Sequence, residues 1–199
     1  MDLQKINVKF FARDSNAIPL ERFIDVFHSW VQASDGEYYD VADYSHVHGG
    51  PGILLIAHEA NISIDNTHRR LGLLYNRKQP LQGSNGEKLR CVFRSALEYC
   101  RRIETEAALQ GEIKFLGNEA LFIINDRLMA PNSDETFHAV RAELEDLARS
   151  LYGGAAFTLD HETDARKRFS VTITTPVLFD IRTLLTNLLE STRRRTTNC

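Results

Sequence analysis

The stretch Asp40-Val41-Ala42-Asp43-Tyr44-Ser45-His46-Val47-His48 is the part of this sequence richest in groups that do chemistry. If Tyr44 to His48 is extended, His46 and His48 project to one side, which lets two imidazoles from one strand share a metal. Asp43, or Asp40 in its place, and His58 one strand later would complete a mixed histidine and carboxylate set suited to zinc, manganese or iron. The same spacing arises in a solvated acidic loop before the turn Gly49-Gly50-Pro51-Gly52, and that reading is favoured; a histidine pH switch is the third. His58-Glu59 offers a general base, but no nucleophile is fixed near it in sequence, and a strand end turning to solvent accounts for both residues.

A second constellation is basic. His68-Arg69-Arg70 and Asn76-Arg77-Lys78 bracket an apolar strand, so Arg69, Arg70, Arg77 and Lys78 form an anion or phosphate cradle if they converge, with Tyr75 as a stacking surface. Basic flanks on an edge strand also serve to discourage strand addition by other chains. Asn125-Asp126-Arg127 leads to a helix start at Ser133, a common place for a small anion. Asp134 and Glu135 already complement that helix end, so Arg127 is expected to pair with acidic neighbours. Ser45, Ser84 and Ser133 sit in turn or cap contexts. No nucleotide-binding loop, nucleophile elbow, zincin helix or zinc-finger spacing is present.

The elements that must hold these groups follow from hydrophobic period. Lys5 to Phe10 alternates as a strand with one wet face, and Leu20, Phe23, Ile24, Phe27, Trp30 and Val31 line one side of a helix beginning near Pro19. Residues 37–41 read as a short strand. Ile53 to Ile56 is apolar on both faces, and Ile62, Ile64, Leu71, Leu73 and Tyr75 continue the period of two through antiparallel hairpins. The spacing of Leu89, Phe93, Ala96, Cys100, Ile103 and Ala107 predicts the longest helix and places Cys100 in the core. Residues 113–116 and 120–125 read as a hairpin around Gly117-Asn118. A helix capped by Ser133 then carries Phe137, Val140, Leu144, Leu147 and Leu151 to a stop at Gly153-Gly154. Two short strands around Leu159 and Val171 precede a last helix through Ile181, Leu184, Leu185 and Leu188. Residues 113–173 thus read as hairpin, helix, hairpin, with no sequence repeat detectable in the first half.

Helices mixed with hairpins and no repeating βαβ unit predict an α+β fold, a mainly antiparallel sheet with about four amphipathic helices packed on one face. Residues 1–192 are expected to form a single domain, with possible sub-halves 1–80 and 81–192 meeting at the turn-rich loop 80–86, followed by a basic flexible tail over 193–199.

The 199 residues are 43% hydrophobic and 26% charged, a globular balance that excludes gross disorder. Three cysteines without a close-spaced pair predict a reducing, cytoplasmic setting, and neither a membrane span nor a signal peptide is expected. Charge is segregated: residues 23–68 hold seven carboxylates and no Lys or Arg, whereas residues 69–102 hold nine basic groups against Glu87 and Glu98. A net charge of -3 with arginines scattered among acidic elements argues against nucleic acid as a partner. The leading expectation is a non-catalytic interaction or assembly module, binding a protein partner or self-associating as a homodimer, with no cofactor. The alternatives are a metal-dependent enzyme using Asp43, His46, His48 and His58 with a divalent metal such as zinc or manganese, and an anion or nucleic-acid binder using Arg69, Arg70, Arg77 and Lys78.

Overall fold

Apolar alternation builds one continuous sheet. The computed structural model describes residues 1–14, 18–47 and 50–196, with side chains as far as residue 191. In chain order these are β1 (Ile6–Ala12), α1 (Arg22–Ala33), β2 (Tyr38–Tyr44), β3 (Gly52–Ala57), β4 (Ala60–Asp65), β5 (Gly72–Arg77), α2 (Asn85–Glu104), β6 (Phe115–Ile124), α3 (Asp134–Leu151), β7 (Thr158–His161), β8 (Ser170–Thr174) and α4 (Ile181–Thr196). The strands pair antiparallel throughout, as one eight-stranded sheet in the order β2-β3-β4-β5-β1-β6-β8-β7. The α+β fold class is therefore as the sequence pattern predicts, with the helices packed on one face. None of the described helices is long and apolar enough to cross a membrane.

One element differs from its sequence reading in kind. Residues 113–125 do not turn at Gly117-Asn118; β6 runs unbroken through them for ten residues. Gly117 is there for a close approach: a Cβ built on it would lie 2.3 Å from the Phe179 carbonyl oxygen, in the segment leading into α4. With that correction a pattern appears. Residues 6–104 run strand, helix, antiparallel meander, helix, and residues 115–196 run strand, helix, hairpin, helix. In each half the last strand returns to pair with the first, β5 on β1 and β8 on β6, and the two first strands pair antiparallel at the centre with Val8 opposite Phe122. The halves are thus two versions of one arrangement, joined through β1 and β6. A single hydrophobic cluster runs through both.

Helix ends follow local chemistry. Ser84 and Glu87 form a reciprocal capping box at the start of α2, with the Ser84 amide donating to Glu87 Oε2 at 2.8 Å. Ser133 caps α3 by accepting from the Thr136 amide, and Asp180 Oδ1 accepts from the Thr183 amide at 2.7 Å in the first turn of α4. The α3 stripe is buried at Val140, Leu144, Leu147 and Leu151, while Phe137 is half-buried and stacks on His161 at 5.1 Å. α4 runs to Thr196, into the segment read as a tail; residues 197–199 lie outside the described residues.

Strand alternation assigns the two faces of the sheet. The row Val41, Leu55, Ile62, Tyr75, Val8, Phe122 and Val171 points to the helices, and Phe10 meets Phe93 of α2 edge to face at 6.2 Å. The next row, Ala42, Leu54, Ser63, Leu74, Lys9, Leu121, Thr172 and Asp160, points to the opposite face, on which none of the described helices packs. The wet face expected for β1 is nonetheless buried, with Asn7 at 1% and Lys9 at 3% exposure. β1 lies mid-sheet, and Phe11, Asp65 and Arg70 close over Lys9.

Candidate functional site

The helix-free face carries a groove of about 940 Å³ running obliquely across β5, β1, β6, β8 and β7. Its floor is built from residues two apart on neighbouring strands, namely Leu74, Lys9, Phe11, Leu121, Ile123, Ser170 and Thr172. One end is the turn between β4 and β5, with Asp65, Thr67, His68 and Arg70. The other end is formed by Arg127, just after β6, and by residues 162–168 of the connection between β7 and β8. The size suits a small organic molecule or a short segment of another chain.

Most charges inside the groove are matched. Lys9 and Asp65 form an ion pair with both side chains 4% exposed. The Thr67 hydroxyl donates to Asp65 Oδ2 at 2.7 Å and its amide to Oδ1 at 3.2 Å, so the carboxylate is well supplied with donors. Burial pulls the Lys9 ammonium below its ordinary range, and Asp65 opposes that shift. Arg70 grips Glu119 through two bonds of 2.7 Å while its guanidinium lies 3.7 Å from the Phe11 ring centroid. Lys167 pairs with Glu162 at 2.5 Å, which holds the carboxyl below and the ammonium above its usual range. Asp160 accepts from the Thr158 hydroxyl at 3.2 Å and has no cationic partner among the described residues.

The exceptions sit at one end. Arg127 is exposed and closes no ion pair within 4 Å among the described residues; of its acidic neighbours, Asp164 feels its charge, which helps hold that carboxyl low, and Asp126 is engaged with Lys5 at 2.8 Å. Arg168 donates to the neutral Asn125 Oδ1 at 3.2 Å. Beside them Leu128 and Met129 are 94% and 71% exposed, on a turn where the Asp126 carboxylate accepts from both their amides. Farther across the face, Asn7, Asn76 and Asn61 stand side by side on β1, β5 and β4, and the buried Oδ1 atoms of Asn7 and Asn61 accept no hydrogen bond.

The sequence-based site residues fall elsewhere. Asp43 is the last residue but one of β2, Ser45 donates its amide to Asp43 Oδ1 at 2.8 Å, and Val47 N–H bonds back to Tyr44 O, so His46 sits in a turn and not on an extension of the strand. His48 lies outside the described residues. Asp43 is opposite Ile53 in β3, so His58, five residues further along extended chain, is about 17 Å away. No group of three or more His, Cys, Asp or Glu able to hold a metal occurs among the described residues. The basic set is divided by the length of β5. Arg69 and His68 line a separate hollow of about 690 Å³ with Tyr44, Ser45 and Val47. Arg77 pairs with Glu59 at 2.5 Å at the other end, next to Lys78, whose amide donates to Glu59 O. Only Arg70 reaches the groove.

A third cavity, of about 590 Å³, opens between α2 and the β2–β5 meander. Arg102 stacks over Trp30 at 3.7 Å and donates to the Tyr38 hydroxyl at 2.7 Å, which lies 3.2 Å from that of Tyr99. Burial pushes both phenols above their ordinary range, so they stay neutral and tie α1, α2 and β2 together. Neither this cluster nor the groove was visible in the sequence, because each joins residues that meet only through strand register. Set against known proteins, the chain matches no family model, no curated protein and no solved structure.

Proposed function

We propose that this chain is a non-catalytic binding module that works through the groove on the helix-free face of its sheet. The observation that carries the reading is that this face, with none of the described helices over it, presents Phe11, Leu74, Leu121 and Ile123 around a space of about 940 Å³. Lys9, Asp65, Arg70, Glu162 and Lys167 are held in ion pairs, which suits recognition better than proton transfer. Methyl-detected NMR during titration with phenol or isopropanol tests it. The Leu74, Leu121 and Ile123 methyls are expected to shift first. Shifts confined to Ala57, Ala60 and Ile62, which line the tyrosine cavity, would move the binding surface there and end this reading.

A second reading, self-association, rests on charge placement. Glu37, Asp40 and Asp43 lie at or beside the β2 edge and close no ion pair among the described residues, while Arg127 and Arg168 lie toward the β7 edge. Opposite charges at opposite edges favour edge-to-edge contact between copies. Light scattering at about 20 mM and about 500 mM salt is expected to show assembly that weakens as the Debye length shortens. A monomer at both concentrations removes the idea.

A further inference from the structure

We infer that the groove takes an amphipathic organic anion, a molecule with an apolar body and one acidic head such as a carboxylate or sulfonate, with the head held between Arg127 and Arg168. The inference rests on the groove being the binding surface and adds what it selects. Three observations carry it.

The first is the distribution of unspent charge. Lys9, Arg70 and Lys167 are each engaged with a carboxylate. Around the remaining end the four cations Arg127, Arg166, Lys167 and Arg168 outnumber the carboxylates Asp160, Glu162 and Asp164, and Asp164 is held by Arg166 through bonds of 2.9 Å from both Nε and Nη2. Arg127 acts on Asp164 only through its field and makes no side-chain hydrogen bond among the described residues, and Arg168 bonds only a neutral amide oxygen, so both guanidinium forks keep donors for an acidic head. The second is the floor leading away from them. Ile123 and Leu121 run inward along β6 and continue to Leu74 across β1, an apolar track for the body of a ligand. Ser170 and Thr172 lie alongside on β8, and their hydroxyls make no hydrogen bond among the described residues. The third is the far end. The Lys9–Asp65 pair beneath Arg70 is already neutral overall, so a second charged head finds nothing there to meet it. Asp160 on the β7 side, without a cation, further disfavours a dianion.

The probe pair 8-anilinonaphthalene-1-sulfonate and N-phenyl-1-naphthylamine separates charge from shape, since the two share an aromatic body and differ in the sulfonate. Fluorescence titrations are read for the parent chain, Arg127→Ala/Arg168→Ala, and Thr172→Trp, which fills the groove floor. Melting curves confirm that each variant is folded; both arginines are exposed and Thr172 is only half-buried. The sulfonate probe is expected to bind one site and to weaken about tenfold or more in the double arginine variant, the loss of two charge-assisted hydrogen bonds, while the neutral probe changes less than about threefold. Thr172→Trp is expected to abolish both. If Thr172→Trp blocks both probes and the arginine variant leaves the sulfonate unchanged, the anion inference is overturned and the groove reading stands. If neither probe binds, or Thr172→Trp is without effect on either, the groove reading itself fails and the inference with it.

Discussion

Removing one partner of the Lys9–Asp65 pair should be costly, and removing both should not. Each side chain is 4% exposed, so a lone charge left behind has no water to fall back on. The two single variants are not equivalent. Lys9→Met leaves a carboxylate that still accepts from the Thr67 hydroxyl at 2.7 Å and the Thr67 amide at 3.2 Å, which places its cost near the low end of the usual range, about 3 kcal/mol. Asp65→Asn leaves a buried ammonium facing a neutral amide oxygen, which Thr67 also needs, and the Phe11 ring 5.4 Å from its nitrogen, so no opposite charge remains and the cost rises toward about 5 kcal/mol. Lys9→Met/Asp65→Asn removes both charges and keeps an acceptor for Thr67, so it is expected within about 1.5 kcal/mol of the parent, giving a large favourable coupling. Lys9 also sets the pH dependence. Burial already lowers its folded pKa beneath the ordinary lysine value of 10.5, and loss of Asp65 lowers it further. The unfolded chain then binds the extra proton, so the Asp65→Asn variant gains stability as pH rises toward 10.5 and pays the full penalty below its folded value. Urea denaturation of the four proteins at neutral and alkaline pH measures all of this. A cost below about 1 kcal/mol for either single variant, or singles that simply add, would show that water reaches this face and that the groove floor is not dry.

Leu144→Ala empties a site that is 0% exposed in α3 and is expected to cost about 2 to 5 kcal/mol in urea denaturation; an unchanged midpoint would make the α3 stripe an exposed face. Gly117→Ala sets a methyl 2.3 Å from the Phe179 carbonyl oxygen, where backbone must move, and about 1 to 3 kcal/mol should be lost, whereas a turn at Gly117-Asn118 would tolerate alanine. Tyr38 and Tyr152 are buried and Tyr99 is half-buried, and burial raises the folded pKa of all three above the ordinary phenol value of 10.0. Their contribution is complete below that value and is lost as pH climbs through the folded ones, so circular dichroism should show alkaline unfolding above about pH 10, and the Tyr99→Phe variant should resist it better than the parent.

What the sequence determines by itself is what neighbouring residues decide among themselves. Helix boundaries at Ser84 and Ser133, the buried stripe from Val140 to Leu151, the core position of Cys100 and the antiparallel meander from β2 to β5 all follow from caps, period and short links. The α+β class follows from the same signals. Tertiary structure decided the rest. Gly117 carries the composition of a turn and the conformation of a strand, because the demand on it comes from Phe179, sixty-two positions away in sequence. Lys9 has the pattern of a wet strand position and is buried, because Asp65 and Arg70 arrive from another turn to close over it. Arg69, Arg70, Arg77 and Lys78 are close in sequence yet divided between the ends of a strand, while Arg127 and Arg168, far apart in sequence, meet at one end of a groove. Extended chain separates near neighbours by about 3.3 Å per residue, and antiparallel register brings distant ones within about 5 Å. A binding face assembled across strands from both halves of the chain is therefore a property of register, which no local window of the sequence contains.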